Sequence, residues 1–184
     1  MASRLKAGLI CVTCVSAALA LAVTALSCSS PGPSKAPDFT LPTLTGDNVT
    51  LSEQEGNPVV VNFWSINCSA CRYQLPFIES VAQQRHGEID VIAINIGQNA
   101  STVQTFLRTF LSKNETTMIV ALDVNGEVFV NYCREYENSG YIPFTLFVDS
   151  EGMVRYVQIG AFASEAALWN TLHKVLGITV PATP

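Results

Sequence analysis

Positive charge is scarce in this 184-residue chain: ten Lys and Arg stand against fifteen Asp and Glu, for a formal net charge of −5. The basic residues are scattered, and an acidic surface repels phosphate, so nothing in the chain suits a nucleic-acid footprint. Histidine is scarcer still, with His86 and His173 alone. Both fall on expected helix ends or surface faces, where solvated histidines are the norm. The chain has no His-x-x-His, internal repeat, low-complexity tract or long run of one charge. Charge is missing altogether from Ala7 to Leu26, a stretch preceded by Arg4 and Lys6. That is the pattern of a secretory n-region and h-region, and its length also suffices to span a bilayer.

The end of this stretch bears on processing. Ala25-Leu26-Ser27-Cys28 resembles a bacterial lipoprotein cleavage box, with Ala25 where such boxes usually carry Leu. Two readings remain open: cleavage with lipidation of Cys28, or an uncleaved N-terminal membrane helix. Either one exports the rest of the chain and tethers it. Residues 1–27 are therefore read as signal peptide or anchor, and residues 28–36, rich in Ser, Pro and Gly, as a flexible linker. Residues 37–178 suit one compact domain with its own core, followed by a tail over 179–184. All fifteen acidic and eight of the ten basic residues lie beyond the anchor, so the exported part carries about −7.

There are six cysteines. Cys11 and Cys14 sit in the hydrophobic stretch, where they are apolar filler. Cys68-Ser69-Ala70-Cys71 is different. The apolar run Val59 to Trp64 before it reads as a buried strand, and Leu75, Ile78, Val81 and Ala82 after it recur at helical spacing. A dithiol at such a junction puts Cys68 at a helix N-terminus, where free backbone N–H groups and the helix dipole favour a thiolate. Cys71 lies one turn on, close enough to close a small ring. A zinc site would need a second ligand pair in the domain, and Cys133 alone does not complete four ligands. No metal is expected. Cys133 belongs to an amphipathic segment, Val130 to Cys133, and is expected to be buried and inert.

Along the domain, helical and strand periods alternate. Phe39–Leu44 and Val49–Leu51 flank the turn residues 45–48 as a hairpin. Val59–Trp64 and Ile89–Ile96 read as parallel strands joined by a helix over 69–85, with Pro76 predicted to kink it. Ser101 is a candidate cap for a helix reaching Ser112. Met118–Leu122 reads as a strand, Val128–Tyr136 as a helix, and Phe144–Val148 with Met153–Ile159 as an antiparallel hairpin. Ser164 opens a last helix that Gly177 ends. This order predicts an α/β fold with helices on both faces of a central sheet.

The residues that carry a resemblance occur in one order: Ala36-Pro37-Asp38-Phe39-Thr40-Leu41-Pro42, Gly56 to Trp64, the Cys-x-x-Cys, Leu75-Pro76, and Gly140 to Asp149. In this the chain resembles thioredoxin-fold proteins of the redoxin superfamily, and the segment at about 97–122 with the tether narrows the likeness to the TlpA/ResA-type thiol–disulfide oxidoreductases. The resemblance runs from about Ala36 to Gly177. It implies a thioredoxin-like fold: a five-stranded mixed sheet carrying an N-terminal hairpin extension and an inserted αβ segment. It also implies Cys68 as attacking thiolate, Cys71 as resolving thiol, a redox-active Cys68–Cys71 disulfide, and Pro143 as a cis-proline facing the pair. Ile142, Pro143 and Trp64 are the substrate-binding residues it points to. No cofactor is implied. The expected partners are thiols or disulfides of exported proteins, together with a membrane or extracytoplasmic redox partner.

Three departures stand out. Asn67 replaces the usual Trp before the first cysteine, Asn62 stands where thioredoxin buries an acid, and Gln74 stands where haem-maturation members keep a Glu. An amide orients a neighbour but takes no proton. Three functions are therefore compared: a tethered oxidoreductase, with apocytochromes among its substrates, a peroxiredoxin-like thiol peroxidase, and a copper-carrying module. The second is suggested by Pro37-Asp38-Phe39 and by Ser65 three residues before Cys68, but Val61 takes the place of the proline such enzymes carry. The third prefers Cys-x-x-x-Cys with a His, a pattern absent here.

Overall fold

The computed structural model describes residues 34–112 and 115–179. The expected signal or anchor, Cys11, Cys14 and Cys28 lie outside the described residues, as do residues 180–184. Among the described residues no helix is long and apolar enough to cross a membrane.

A small antiparallel hairpin, β1 (Thr40–Pro42) and β2 (Asn48–Thr50), opens the domain and runs into a single 3-10 turn. Then come β3 (Val59–Trp64), α1 (Ser69–Gln84), β4 (Asp90–Ile96), α2 (Ala100–Phe110), β5 (Ile119–Asp123), α3 (Glu127–Glu135), β6 (Phe144–Val148), β7 (Val154–Ile159) and α4 (Glu165–Leu176). The five-stranded sheet has the order β5-β4-β3-β6-β7. β3, β4 and β5 are parallel, whereas β6 pairs antiparallel to both β3 and β7. The mixed sheet and its hairpin extension are as the residue patterns predict.

β3 sits at the centre, and every one of its residues is buried. Strand alternation divides its side chains between two cores. Val60 and Trp64 face α1, α2 and α4, while Val59, Val61 and Phe63 face the hairpin and α3. Parallel strands covered on both sides are expected to be apolar throughout, and β3 is, with Asn62 as the exception.

α1 runs through Pro76 as expected, and Arg72 and Pro76 are both exposed, so water can take up the Arg72 carbonyl that proline leaves without a donor. Two local expectations need correction. Asn99 caps α2 in place of Ser101: its side chain accepts from the Thr102 N–H, and the Ser101 hydroxyl donates to that same oxygen at 2.9 Å. The linker's end is not free chain, because Lys35 bridges to Met153 and the Ala36 N–H reaches the Gly152 carbonyl at 2.9 Å.

Candidate active site

β3 delivers the chain to the end of the sheet where the parallel strands finish, the loop from Ser65 to Asn67 comes next, and α1 begins. Two side chains clamp that loop. Gln98, just beyond β4, holds Ser65 Oγ and accepts from the Ile66 N–H at 3.4 Å. From the helix side, Arg72 donates to the Ile66 carbonyl at 3.0 Å. Cys68 is the N-cap of α1, with extended backbone, and its sulfur accepts from the Cys71 N–H at 3.0 Å. The sulfur thus occupies the place where a capping oxygen usually satisfies an orphan donor. Negative charge on that sulfur is favoured by the same geometry.

Cys68 and Cys71 form a disulfide, with their Cα atoms 5.2 Å apart. The two sulfurs are not equivalent. Cys68 is partly exposed, whereas Cys71 is 1% exposed and packs in the core beneath the helix. Facing them is the Ile142–Pro143 peptide bond, which is cis. The Ile142 carbonyl oxygen lies 3.6 Å from Cys68 Sγ, within reach of a thiol donor in the reduced form. Ile142 is half-buried and Pro143 buried.

Trp64 needs correction. Its ring is fully buried and packs on Phe106, with centroids 5.8 Å apart. It supports the loop from below and presents no surface to a docking chain. Cys133 also departs from expectation, being partly exposed on α3. Burial pushes its thiol pKa up, and a hydrogen bond from the Gly140 N–H opposes that only in part. His86 and His173 are exposed, and among the described residues no group of three or more His, Cys, Asp or Glu side chains gathers.

The two amides that stand in place of acids belong to one buried network. Gln74 Nε2 donates to Thr145 Oγ1 at 3.1 Å, and Asn62 Nδ2 donates to the same oxygen at 3.3 Å. The Phe162 N–H completes the group by donating to Gln74 Oε1 at 2.9 Å. Asn62, Gln74 and Thr145 are each at most 1% exposed, so α1, β3, β6 and the loop before α4 are joined by neutral partners. The nearest buried acid on α1, Glu79, is engaged elsewhere. It accepts from Gln83 Nε2, the Thr116 hydroxyl and, at 3.1 Å, the Thr117 N–H. Sequence pattern singled out neither Thr145 nor Gln98, since each meets its partners only through the folded sheet.

Residues 33–157 match the model of the AhpC/TSA family. The chain belongs to that family. Within this redoxin family it is similar to the thioredoxin-like protein YneN of Bacillus subtilis, at 28% identity over 71% of this chain and 73% of that one. It is also similar to the thiol-disulfide oxidoreductase ResA of Bacillus subtilis, at 26% identity over 80% of this chain and 75% of that one. A thioredoxin-family thiol:disulfide interchange protein from Chlorobium tepidum shares the fold, with a TM-score of 0.65 and 22% identity over 79% of this chain and 97% of that one.

Proposed function

We propose that the chain is a thiol–disulfide oxidoreductase that works outside the cytoplasm, tethered at its N-terminus, and exchanges disulfides with exported proteins, apocytochromes c among them. The observation that carries this reading is the Cys68–Cys71 disulfide capping α1 opposite the Ile142 carbonyl. The activity in the name of ResA agrees with it. The uncharged stretch Ala7–Leu26 and Cys28 support the tether.

In the reducing direction the Cys68 thiolate attacks one sulfur of a substrate disulfide, forming a mixed disulfide and releasing the other sulfur as a thiolate. Cys71 then loses its proton and attacks Cys68 Sγ. The Cys68–Cys71 bond forms, the mixed disulfide breaks, and the substrate leaves with two thiols and two electrons. A membrane or extracytoplasmic redox partner returns the pair to the dithiol. The oxidising direction is the same sequence reversed. Its preference depends on the relative stability of thiolate and disulfide, where about 30 mV corresponds to 1.4 kcal/mol.

Replacing Cys71 by Ser in the full chain tests the reading. Attack proceeds without release, so mixed disulfides with exported proteins accumulate on Cys68 and disappear on reduction. A Cys71→Ser chain that captures nothing, while Cys68 remains alkylatable, would sink the proposal. Membership of the AhpC/TSA family favours one second reading, a thiol peroxidase. Rapid loss of free thiol when the reduced protein meets peroxide would support that reading over protein disulfide exchange.

A further inference from the structure

The Ile142 carbonyl can meet a substrate chain only if the loop carrying it holds its shape. After it, Pro143 is buried and its carbonyl accepts from the Gly160 N–H at 2.8 Å, but before it the chain has fewer supports. Tyr141, immediately before it, is 66% exposed and contributes little packing. Gly140 has φ 89° and Glu137 φ 52°, so two residues of the segment adopt the left-handed region. One side chain compensates. Asn138 is 6% exposed, and its amide binds the Tyr141 backbone from both sides. Oδ1 accepts from the Tyr141 N–H at 2.9 Å, while Nδ2 donates to the Tyr141 carbonyl at 2.9 Å. Asn138 is itself fixed to α3, since its N–H donates to the Cys133 carbonyl at 2.9 Å and the Gly140 N–H turns to the Cys133 sulfur. A short run of hydrogen bonds therefore leads from the last turn of α3 to the residue before Ile142.

We infer that Asn138 is a positioning residue that presets the Ile142 backbone for an extended polypeptide, and so makes this enzyme favour protein disulfides over small-molecule disulfides. The inference rests on the proposed disulfide exchange with proteins. Main-chain pairing with a substrate strand gives affinity only in proportion to how far the receiving backbone is already ordered. A small disulfide has no chain to pair and needs Cys68 alone. Asn suits the position because it both donates and accepts in one plane, whereas Asp keeps only the accepting half and Ala keeps neither.

The test compares two substrates of the reduced full chain: a disulfide-bonded peptide and 2-hydroxyethyl disulfide. Asn138→Ala is expected to raise KM for the peptide about tenfold, equivalent to about 1.4 kcal/mol, with kcat within about twofold. The rate constant with 2-hydroxyethyl disulfide should also stay within about twofold, and the reduction potential of the pair should not move. Asn138→Asp sets a carboxylate oxygen against the Tyr141 carbonyl in place of the donor, so it should raise the peptide KM at least as much, and it carries the test if the alanine variant does not fold. An equal loss with both substrates, an unchanged peptide KM, or a loss confined to kcat would each overturn the inference. A wild-type protein that turns over the small disulfide but never the peptide would overturn the substrate reading on which it rests.

Discussion

The three cysteine sulfurs within the described residues differ in their surroundings, and their chemistry differs accordingly. Cys68 is partly exposed and accepts a helix N–H, Cys133 is partly exposed with its thiol pKa raised by burial, and Cys71 is closed off. Iodoacetamide at neutral pH should therefore label the reduced protein at Cys68 first, Cys133 more slowly and Cys71 last, as peptide mapping over time would show. Labelling of Cys71 ahead of Cys68 would reverse the assignment of attacking and resolving thiol. Another expectation concerns the neutral network under the pair. A well-placed general base contributes roughly 10²–10⁴-fold, and Asn62 and Gln74 supply none. Release by Cys71 should be slow near neutrality and accelerate as pH rises, and Gln74→Glu should speed that step while sparing the first. The new carboxyl would keep its partners, because the Thr145 hydroxyl can rotate to donate to it and the Phe162 N–H already points there. Thr145 has one proton to give, so adding Asn62→Asp would leave one buried carboxylate without that donor and lower stability further than either change alone. Single-turnover reduction of a model disulfide between about pH 6 and 9, with denaturation of the three variants, checks both statements. Fast, pH-independent release by the unaltered protein would reveal a base elsewhere.

At the scale of elements, the boundaries that were legible are those written in adjacent residues. The buried run Val59–Trp64, the β-branched run ending at Ile96 and the Gly177 that stops α4 in a left-handed conformation announce themselves locally. The Cys-x-x-Cys was legible for the same reason. Where two capping residues lie close together, the sequence does not decide between them, and α2 shows why. Ser101 is spent on Asn99, and Asn99 meets the backbone. Asn99→Ala should accordingly cost about 1 kcal/mol in urea denaturation, and Ser101→Ala much less. Equal losses would mean that the two share the cap. The parts that stayed hidden have a common cause. Asn62 and Thr145 are 83 residues apart in the chain, Gln74 and Thr145 71, and Gln74 and Phe162 88. Such partners are brought together by the β3–β6 register and the packing of α1, which no local pattern records. That Trp64 offers no surface to a substrate was hidden too, because the resemblance set it at the site while the strand pattern buried it.

For the molecule as a whole, two carboxylates close corners that lie far apart in sequence. Asp38 accepts from the Ser52 N–H and hydroxyl at the base of the hairpin, and Asp149 accepts from the Glu151 and Met153 N–H groups and pairs with Arg155 across the β6–β7 turn. Burial alone would raise both pKa values, but these hydrogen bonds outweigh it and hold both carboxyls below the ordinary carboxylate range. A depressed folded value means that the contribution to stability is complete above the ordinary value near 3.8 and is lost as pH falls through the folded one. Urea midpoints should fall through that acid window, and Asp149→Asn and Asp38→Asn should each flatten the fall. An undiminished slope in both variants would assign acid lability to other groups. The same corners bear on how the sheet ends. On one side the hairpin lies against β5, where Thr43 bridges to Ala121 and the Leu44 N–H reaches the Val120 carbonyl at 3.1 Å. On the other, Ser34 and Lys35 cover the start of β7, whose pairing with β6 shifts register between Phe147 and Val148. Disulfide exchange with exported proteins, as proposed, would bring strand-forming chains to the sheet at every turnover, and an open margin would invite them to propagate it. With one margin occupied and the other shortened and irregular, a client has little to template upon. On the proposed reading such a chain is held at Ile142 and let go, without seeding a fibre.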